Sequence, residues 1–296
     1  MQQIRVDVII AKTMFSFSHN NINYTVRVPA YPVNLLVEHY IIMKGNGKVT
    51  ERLFPNNKAE IFFNLGDKVK GINSNDAITF VNSSIVSGVR SSFFNFLPPL
   101  DYFMVGLRFT TFGFNQLFQI PAIHFTDNNF PAENVWGKEM TFLLERLYEA
   151  RLQPESLFSI LEEWITGCLA KCSLHEIIQW NKLEKKFYIP NLSVSGLIDR
   201  YMGYSHKHSI QLIKNNSGLS PKYIQKVIRF NEALAIISSP SFQSWCQVAY
   251  LAGYADQSHF IRDFRTFSGY TPDQYLHQKP LEYYRKDIID TSLANR

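Results

Sequence analysis

Ala255-Asp256-Gln257-Ser258-His259-Phe260-Ile261-Arg262-Asp263-Phe264-Arg265, closed by Gly269-Tyr270-Thr271-Pro272, reads as a polar helix with a glycine-proline stop. Phe260 and Phe264 stand four apart and predict one buried stripe. Gly253-Tyr254-Ala255 supplies a turn just upstream. An earlier segment has the same layout: Gly203-Tyr204-Ser205, a polar stretch, then Gly218-Leu219-Ser220-Pro221. Each copy reads as a helix, a Gly turn, a second helix and a Gly-x-[Ser/Thr]-Pro stop. A second helix rich in long polar side chains is how a helix-turn-helix presents a reading helix to a major groove. Two copies predict two reading helices, one behind the other on a duplex.

The surrounding pattern is helical throughout. Ser193–Met202 and Ser205–Asn216 form the first unit, and Phe242–Leu251 and Gln257–Phe267 the second. Between them Pro221–Ser239 opens on proline and repeats Tyr223, Val227, Phe230, Leu234 and Ile237 at three- and four-residue steps. Major-groove faces recur every ~34 Å along a duplex, so a rigid spacer suits a two-turn reader. A closing helix is expected near Pro272–His277.

Upstream, the pattern is β. Val6–Ile10, Tyr24–Val28, Leu35–Met43, Glu60–Leu65, Ile78–Val81 and Met104–Phe109 are short β-branched or aromatic runs. Gly45-Asn46-Gly47, Asn56-Asn57, Gly66-Asp67 and Pro98-Pro99 separate them. This spacing predicts an antiparallel sandwich or barrel. A helical extension follows over 134–188, with Leu143, Leu144, Leu147 and Tyr148 on one face and Leu157–Leu169 after Pro154. Ile189-Pro190-Asn191 marks a boundary. The expected class is therefore α+β, with a β-rich domain over 1–190, a double helix-turn-helix domain over 191–280 and a charged tail over 281–296.

The net charge is +5, and its placement tells more than its size. Residues 192–278 carry eight Lys and Arg against five Asp and Glu, and residues 1–191 are nearly balanced. Phosphate attraction asks for that bias. Three cysteines, Cys168, Cys172 and Cys246, fit a reducing cytosol. Cys168 and Cys172 read as two thiols on one helix face. No run of about 18 apolar residues predicts a membrane span, and no h-region predicts a signal peptide. The sequence holds no Gly-rich phosphate loop, Gly-x-Ser-x-Gly elbow or Cys/His nucleophile pair. His206-x-His208 does not share a helix face, and His19, His39 and His124 are scattered, so no metal or cofactor is expected. The aromatic load from Phe62 to Phe118 reads as core, with room for an apolar ligand cavity.

The segment from Ala255 to Pro272 resembles the second helix-turn-helix of AraC-type transcription regulators, and Ser193–Pro221 with the spacer resembles the rest of that domain. Leu53–Asp67 and Val105–Phe109 resemble one group of AraC-type sensory domains. The resemblance implies a cytoplasmic, non-enzymatic regulator that binds double-stranded DNA. Its implied partners are a small-molecule effector, a second copy of the chain, and RNA polymerase for an activator. The implied DNA contacts are Lys207, His208, Gln211 and Lys214 in the first unit, and Gln257, Ser258, His259, Arg262 and Arg265 in the second. Arg262 suits guanine, Gln257 adenine and Arg265 a phosphate. The first unit departs from the family pattern: Ser209 replaces a large apolar residue, Ile213 an aromatic, Gln211 an arginine, and Asp199 a small residue where copy two has Ala249. A buried Asp199 would need a partner. The first unit is therefore expected to be the weaker reader. The alternative is a cupin-like ligand-binding protein or enzyme with a helical interaction module.

Overall fold

The computed structural model describes residues 14–47, 49–189, 192–239 and 242–278. Its N-terminal part holds two antiparallel sheets and a helical layer. The strands in chain order are β1 Met14–His19, β2 Ile22–Arg27, β3 Val37–Gly45, β4 Glu51–Leu53, β5 Glu60–Asn64, β6 Val69–Asn73, β7 Ile78–Val81, β8 Ser84–Ser87, β9 Phe94–Leu97, β10 Tyr102–Phe109 and β11 Asn129–Pro131. The larger sheet runs β1-β2-β3-β10-β5-β8-β11 and the smaller β4-β9-β6-β7. The sheets face each other as an open sandwich, one of the two arrangements expected. The strand expected at Val6–Ile10 lies outside the described residues.

Successive residues on a strand face opposite ways, and both faces of the larger sheet are covered. Tyr24, Ile41, Met43, Tyr102 and Met104 meet Val69, Val81, Phe94 and Phe96 of the smaller sheet. Tyr40, Ile42, Ile61, Phe63, Val105 and Leu107 turn the other way, toward the helices. That explains why β3 and β10 read as continuous apolar runs. Leu35 opens no strand; it closes a 3-10 turn, Val33–Leu35, ahead of β3.

The helical layer comprises α1 Gly113–Phe118, α2 Glu133–Trp136, α3 Lys138–Glu149, α4 Pro154–Leu169 and α5 Leu174–Lys186. Leu143 and Leu147 are buried as expected, but Tyr148 is half exposed and leaves the stripe. Leu157, Phe158, Leu161 and Ile165 bury α4. Arg27, itself buried, joins β2 to α4 through Glu162 at 2.8 Å and Glu155 at 3.5 Å, with Phe158 4.8 Å below its guanidinium. Lys58 meets Glu184 of α5 at 2.7 Å, and Glu184 also accepts from the Thr111 amide and hydroxyl. Burial alone would lower the Lys58 pKa; Glu184, which also accepts its hydrogen bond, together with Glu38 and Tyr188 outweighs that and holds the ammonium above its usual range. Cys172 donates to the Cys168 and Leu117 carbonyls, and burial first, then Glu139, pushes the Cys168 thiol up to about 11.

The C-terminal part comprises α6 Val194–Tyr201, α7 His206–Ser217, α8 Pro221–Ser238, α9 Trp245–Leu251, α10 Gln257–Ser268 and α11 Pro272–Gln278. Phe242 precedes α9 and packs on Trp245 at 4.9 Å instead of opening the helix. Val227, Phe230, Ala233, Phe260, Phe264 and Phe267 form the second unit's core around the spacer α8.

Candidate nucleic-acid interface

The two units repeat each other more closely in space than in sequence. Gly203 and Gly253 turn each unit at φ 65° and 74°, the left-handed region that glycine enters without strain. Ser205 caps α7 by accepting from the His208 amide, and Asp256 caps α10 by accepting from the His259 amide at 2.7 Å. Gly218 and Gly269 end the reading helices, each donating its N–H at 2.9 Å, to the Lys214 and Arg265 carbonyls. Immediately before each of these glycines, Ser217 and Ser268 make the same bonds. Each hydroxyl donates to the carbonyl four residues back, Ile213 or Phe264, and receives the amide two residues on, Leu219 or Tyr270.

These ends set which faces of α7 and α10 meet solvent. On α7, Lys207, His208, Gln211 and Lys214 are exposed while Ser209 and Ile213 are buried. On α10, Gln257, Ser258, Arg262 and Arg265 are exposed while Phe260 and Phe264 are buried. Ser258, Arg262 and Arg265 line a solvent-open groove with Ile261 and Thr266. No ion pair among the described residues occupies Arg262 or Arg265. Gln211 donates to Asn215 at 2.8 Å, so this side chain is partly spent within its own helix. His259 stands apart from the other candidates: it is half-buried beside Asp263 and the Tyr254 ring.

Asp199 is exposed and accepts from Ser195 at 3.1 Å, so it needs no buried partner. Ser209 is fully buried, and its hydroxyl finds no hydrogen bond among the described residues. The first unit recovers the missing apolar volume from outside. Leu197, Ile198, Ile213, Leu219 and Ile224 share one core with the sheet and helices of the N-terminal part. Gln116 donates to Asn216 at 2.8 Å, and Thr126 donates to the Gly218 carbonyl at 2.9 Å.

The second unit is held by different residues of the N-terminal part, Arg52, Phe54, Ser91 and Ser92, to which no sequence pattern assigned this contact. Phe54, just after β4, packs edge-on against Phe230 at 5.8 Å and tilts on Tyr275 at 6.0 Å. Arg52 reaches from β4 to the Ser268 carbonyl at 3.1 Å and lies 4.2 Å from both the Phe93 and Tyr270 rings. Ser92 donates to the Thr266 carbonyl, and Tyr223 donates to the Ser91 carbonyl. Both reading helices thus dock by their C-terminal ends and leave their N-terminal turns in solvent.

A cavity of about 80 Å³ opens between the sheets on the other side of this contact. Its lining includes the apolar Tyr24, Leu53, Phe54, Phe94 and Phe96 and the polar Lys58, Glu60, Arg90 and Asn129. Leu53, Phe54 and Phe94 therefore belong to, or directly adjoin, segments that touch the helical domain. Among the described residues no group of three or more His, Cys, Asp or Glu gathers into a metal-holding cluster.

The helix-turn-helix domain family matches residues 199–278, which span both reading helices and the spacer. The C-terminal part is an AraC-type helix-turn-helix domain, and the chain is a DNA-binding transcription regulator. A second family, a domain of unknown function (DUF6597), matches residues 26–131 of the regulator, the two-sheet part. No curated protein matches it. Among solved structures, ToxT from Vibrio cholerae O395 is similar at 15% identity over 80% of this chain and 96% of that one, with a TM-score of 0.41. Vibrio cholerae ToxT bound to an unsaturated fatty acid gives 13%, 80%, 94% and 0.40. The nucleoside dehydratase Pac13, a β-barrel from Streptomyces, gives 9%, 36%, 82% and 0.27. Among the regulator's described residues no helix is long and apolar enough to cross a membrane.

Proposed function

We propose that α10 sets the sequence preference of this regulator while α7 mainly grips the backbone one helical turn away. The observation that carries this is the contrast at matched positions. Arg262 projects from α10 without an ion pair among the described residues, and its counterpart Gln211 is bonded to Asn215. A bidentate arginine–guanine contact is worth about 1–3 kcal/mol of discrimination. Gln257 and Ser258 join Arg262 at base edges, and Arg265, Lys207, His208 and Lys214 take phosphates. The test compares Arg262→Ala with Gln211→Ala for affinity to cognate and scrambled duplexes. Arg262→Ala should lose most of the sequence preference. A larger loss from Gln211→Ala reverses the ranking.

The N-terminal domain, on this proposal, senses a small, largely apolar molecule with a polar end and performs no chemistry. The cavity's apolar lining, with Arg90 and Asn129 among its polar residues, supports that ligand class. Drug-sized ligands take roughly 300–1,000 Å³, so an occupant of that size must spread the walls at Leu53, Phe54 and Phe94. The exposed Phe142 and Tyr148 of α3, with Leu152 just after it, support self-association through this part of the surface. Activation through RNA polymerase and a cytoplasmic location belong to the same reading, carried by the family resemblance.

A further inference from the structure

His208 and His259 hold the same third position of the two reading helices. Each packs against the tyrosine that follows its turn glycine. The Tyr204 and His208 centroids lie 5.0 Å apart at 63°, and those of Tyr254 and His259 5.4 Å apart at 90°. One turn further on, the units part. The first carries Leu212, and the second carries Asp263.

Asp263 is only 4% exposed. Its Oδ1 meets the Lys226 ammonium of the spacer helix at 2.9 Å. Its Oδ2 accepts no hydrogen bond among the described residues and faces His259 Nε2 at 3.5 Å. Burying a carboxylate oxygen with its capacity unused is unfavourable, so the arrangement is not explained by stability alone. Arg229 covers the far side of the cluster, 5.3 Å from the Tyr254 ring, and Asp256 holds the His259 backbone. The imidazole is thus flanked by a ring on one side and an anion on the other, at the rim of the reading face.

We propose that Asp263 is a positioning residue for His259, making it a directed base contact that the first unit lacks. The inference rests on α10 being the specificity helix. A carboxylate beside Nε2 favours the tautomer with its proton there, which leaves Nδ1 as an acceptor. An acceptor pairs with the exocyclic amino group of adenine or cytosine in the major groove and has nothing to offer a phosphate. His208, with Leu212 in place of the carboxylate, has no such bias.

The test is random-duplex selection with the full chain and the variants His259→Ala, Asp263→Asn, their double, Asp263→Glu, His208→Ala and Arg262→Ala. His259→Ala and Asp263→Asn should weaken preference for adenine or cytosine at one shared base pair by roughly 10-fold. The double should match the singles there, Asp263→Glu should restore part of the preference, and His208→Ala should leave that base pair unchanged. If Asp263→Asn costs as much in the His259→Ala background as alone, Asp263 is structural and the proposal is overturned. If His259→Ala alters no base preference while Arg262→Ala does, the His259 contact fails and α10 stands as the reader. If Arg262→Ala is also silent, the reading of α10 itself fails. Should Asp263→Asn not fold, the comparison of Asp263→Glu with and without His259 decides the same question.

Discussion

The Arg52 guanidinium lies 4.2 Å from the Tyr270 ring, and through this contact the N-terminal sheet grips the end of the second reading helix. Phe93 covers the other face at the same distance, and the Ser268 carbonyl receives Nη1 at 3.1 Å. A partly desolvated cation–π pair contributes about 1–2 kcal/mol, and a charged hydrogen bond adds about as much. Arg52→Ala should therefore raise amide exchange over 265–272 about 10-fold or more while leaving the sheet amides protected. Hydrogen exchange with mass analysis reads this directly. Unchanged exchange at 265–272 would mean that Phe54 and Ser92 hold the helix without Arg52.

Two glycines with the same backbone conformation should respond differently to alanine. Gly253 and Gly269 both sit at φ 74°. A Cβ at Gly253 meets only the Arg229 Cδ, at an ordinary contact distance of 3.9 Å, so Gly253→Ala should cost about 1 kcal/mol of left-handed strain. A Cβ at Gly269 falls 2.6 Å from the Phe93 ring and 2.8 Å from Arg52. Gly269→Ala should destabilise more than Gly253→Ala in thermal unfolding and should reproduce the exchange increase of Arg52→Ala. Equal costs at the two positions would count against the tight contact at Phe93.

Salt dependence separates gripping from reading. Each phosphate contact removed should lower the slope of log affinity against log salt by about 0.9. Arg265→Ala and Lys214→Ala should each do so and weaken cognate and scrambled duplexes alike, by filter or fluorescence titration. Arg262→Ala should instead narrow the gap between the two duplexes.

His39 gives the stability of the sheet a pH dependence. It is fully buried in β3, and burial first, then the Arg108 and Lys58 charges, holds its pKa well below the ordinary imidazole value. The unfolded chain therefore takes up a proton that the folded chain refuses. Stability from this group is intact above the unfolded pKa, about 6.5, and falls as pH drops below it, by up to about 1.4 kcal/mol per unit. Denaturant titrations from pH 7 to 5 should show that slope, and His39→Leu should flatten it. An equal slope in the variant would assign the acid sensitivity to other groups.

Where a pattern is local, sequence and structure agree closely. Ile78–Val81 is a strand with the predicted bounds, and α8 and α10 depart from expectation by one residue. The capping and stop residues of both units explain this, because each acts within four positions of its partner. The six strands β1, β4, β6, β8, β9 and β11 had no comparable signal. Most are three to five residues long, and Gly71 in β6 or Asn95 in β9 breaks the propensity pattern. The exposed polar face and buried Phe260 and Phe264 of α10 follow from helical spacing, but the groups that orient and hold the two helices do not. No spacing marks Asp263 as buried, because its partner Lys226 lies 37 positions away. Arg52 and Tyr270 are separated by most of the chain, and no periodicity links them. The Ser217 and Ser268 hydroxyls repeat one hydrogen-bond pattern, yet a serine before a glycine carries no distinctive mark.

Random-library duplex selection with the purified full chain tests the central claim most directly. The account predicts an enriched site with two contacted blocks about one helical turn apart, one of them strongly specified and lost in Arg262→Ala. Folded protein that enriches no motif, or one whose strong block survives Arg262→Ala but not Gln211→Ala, would contradict it.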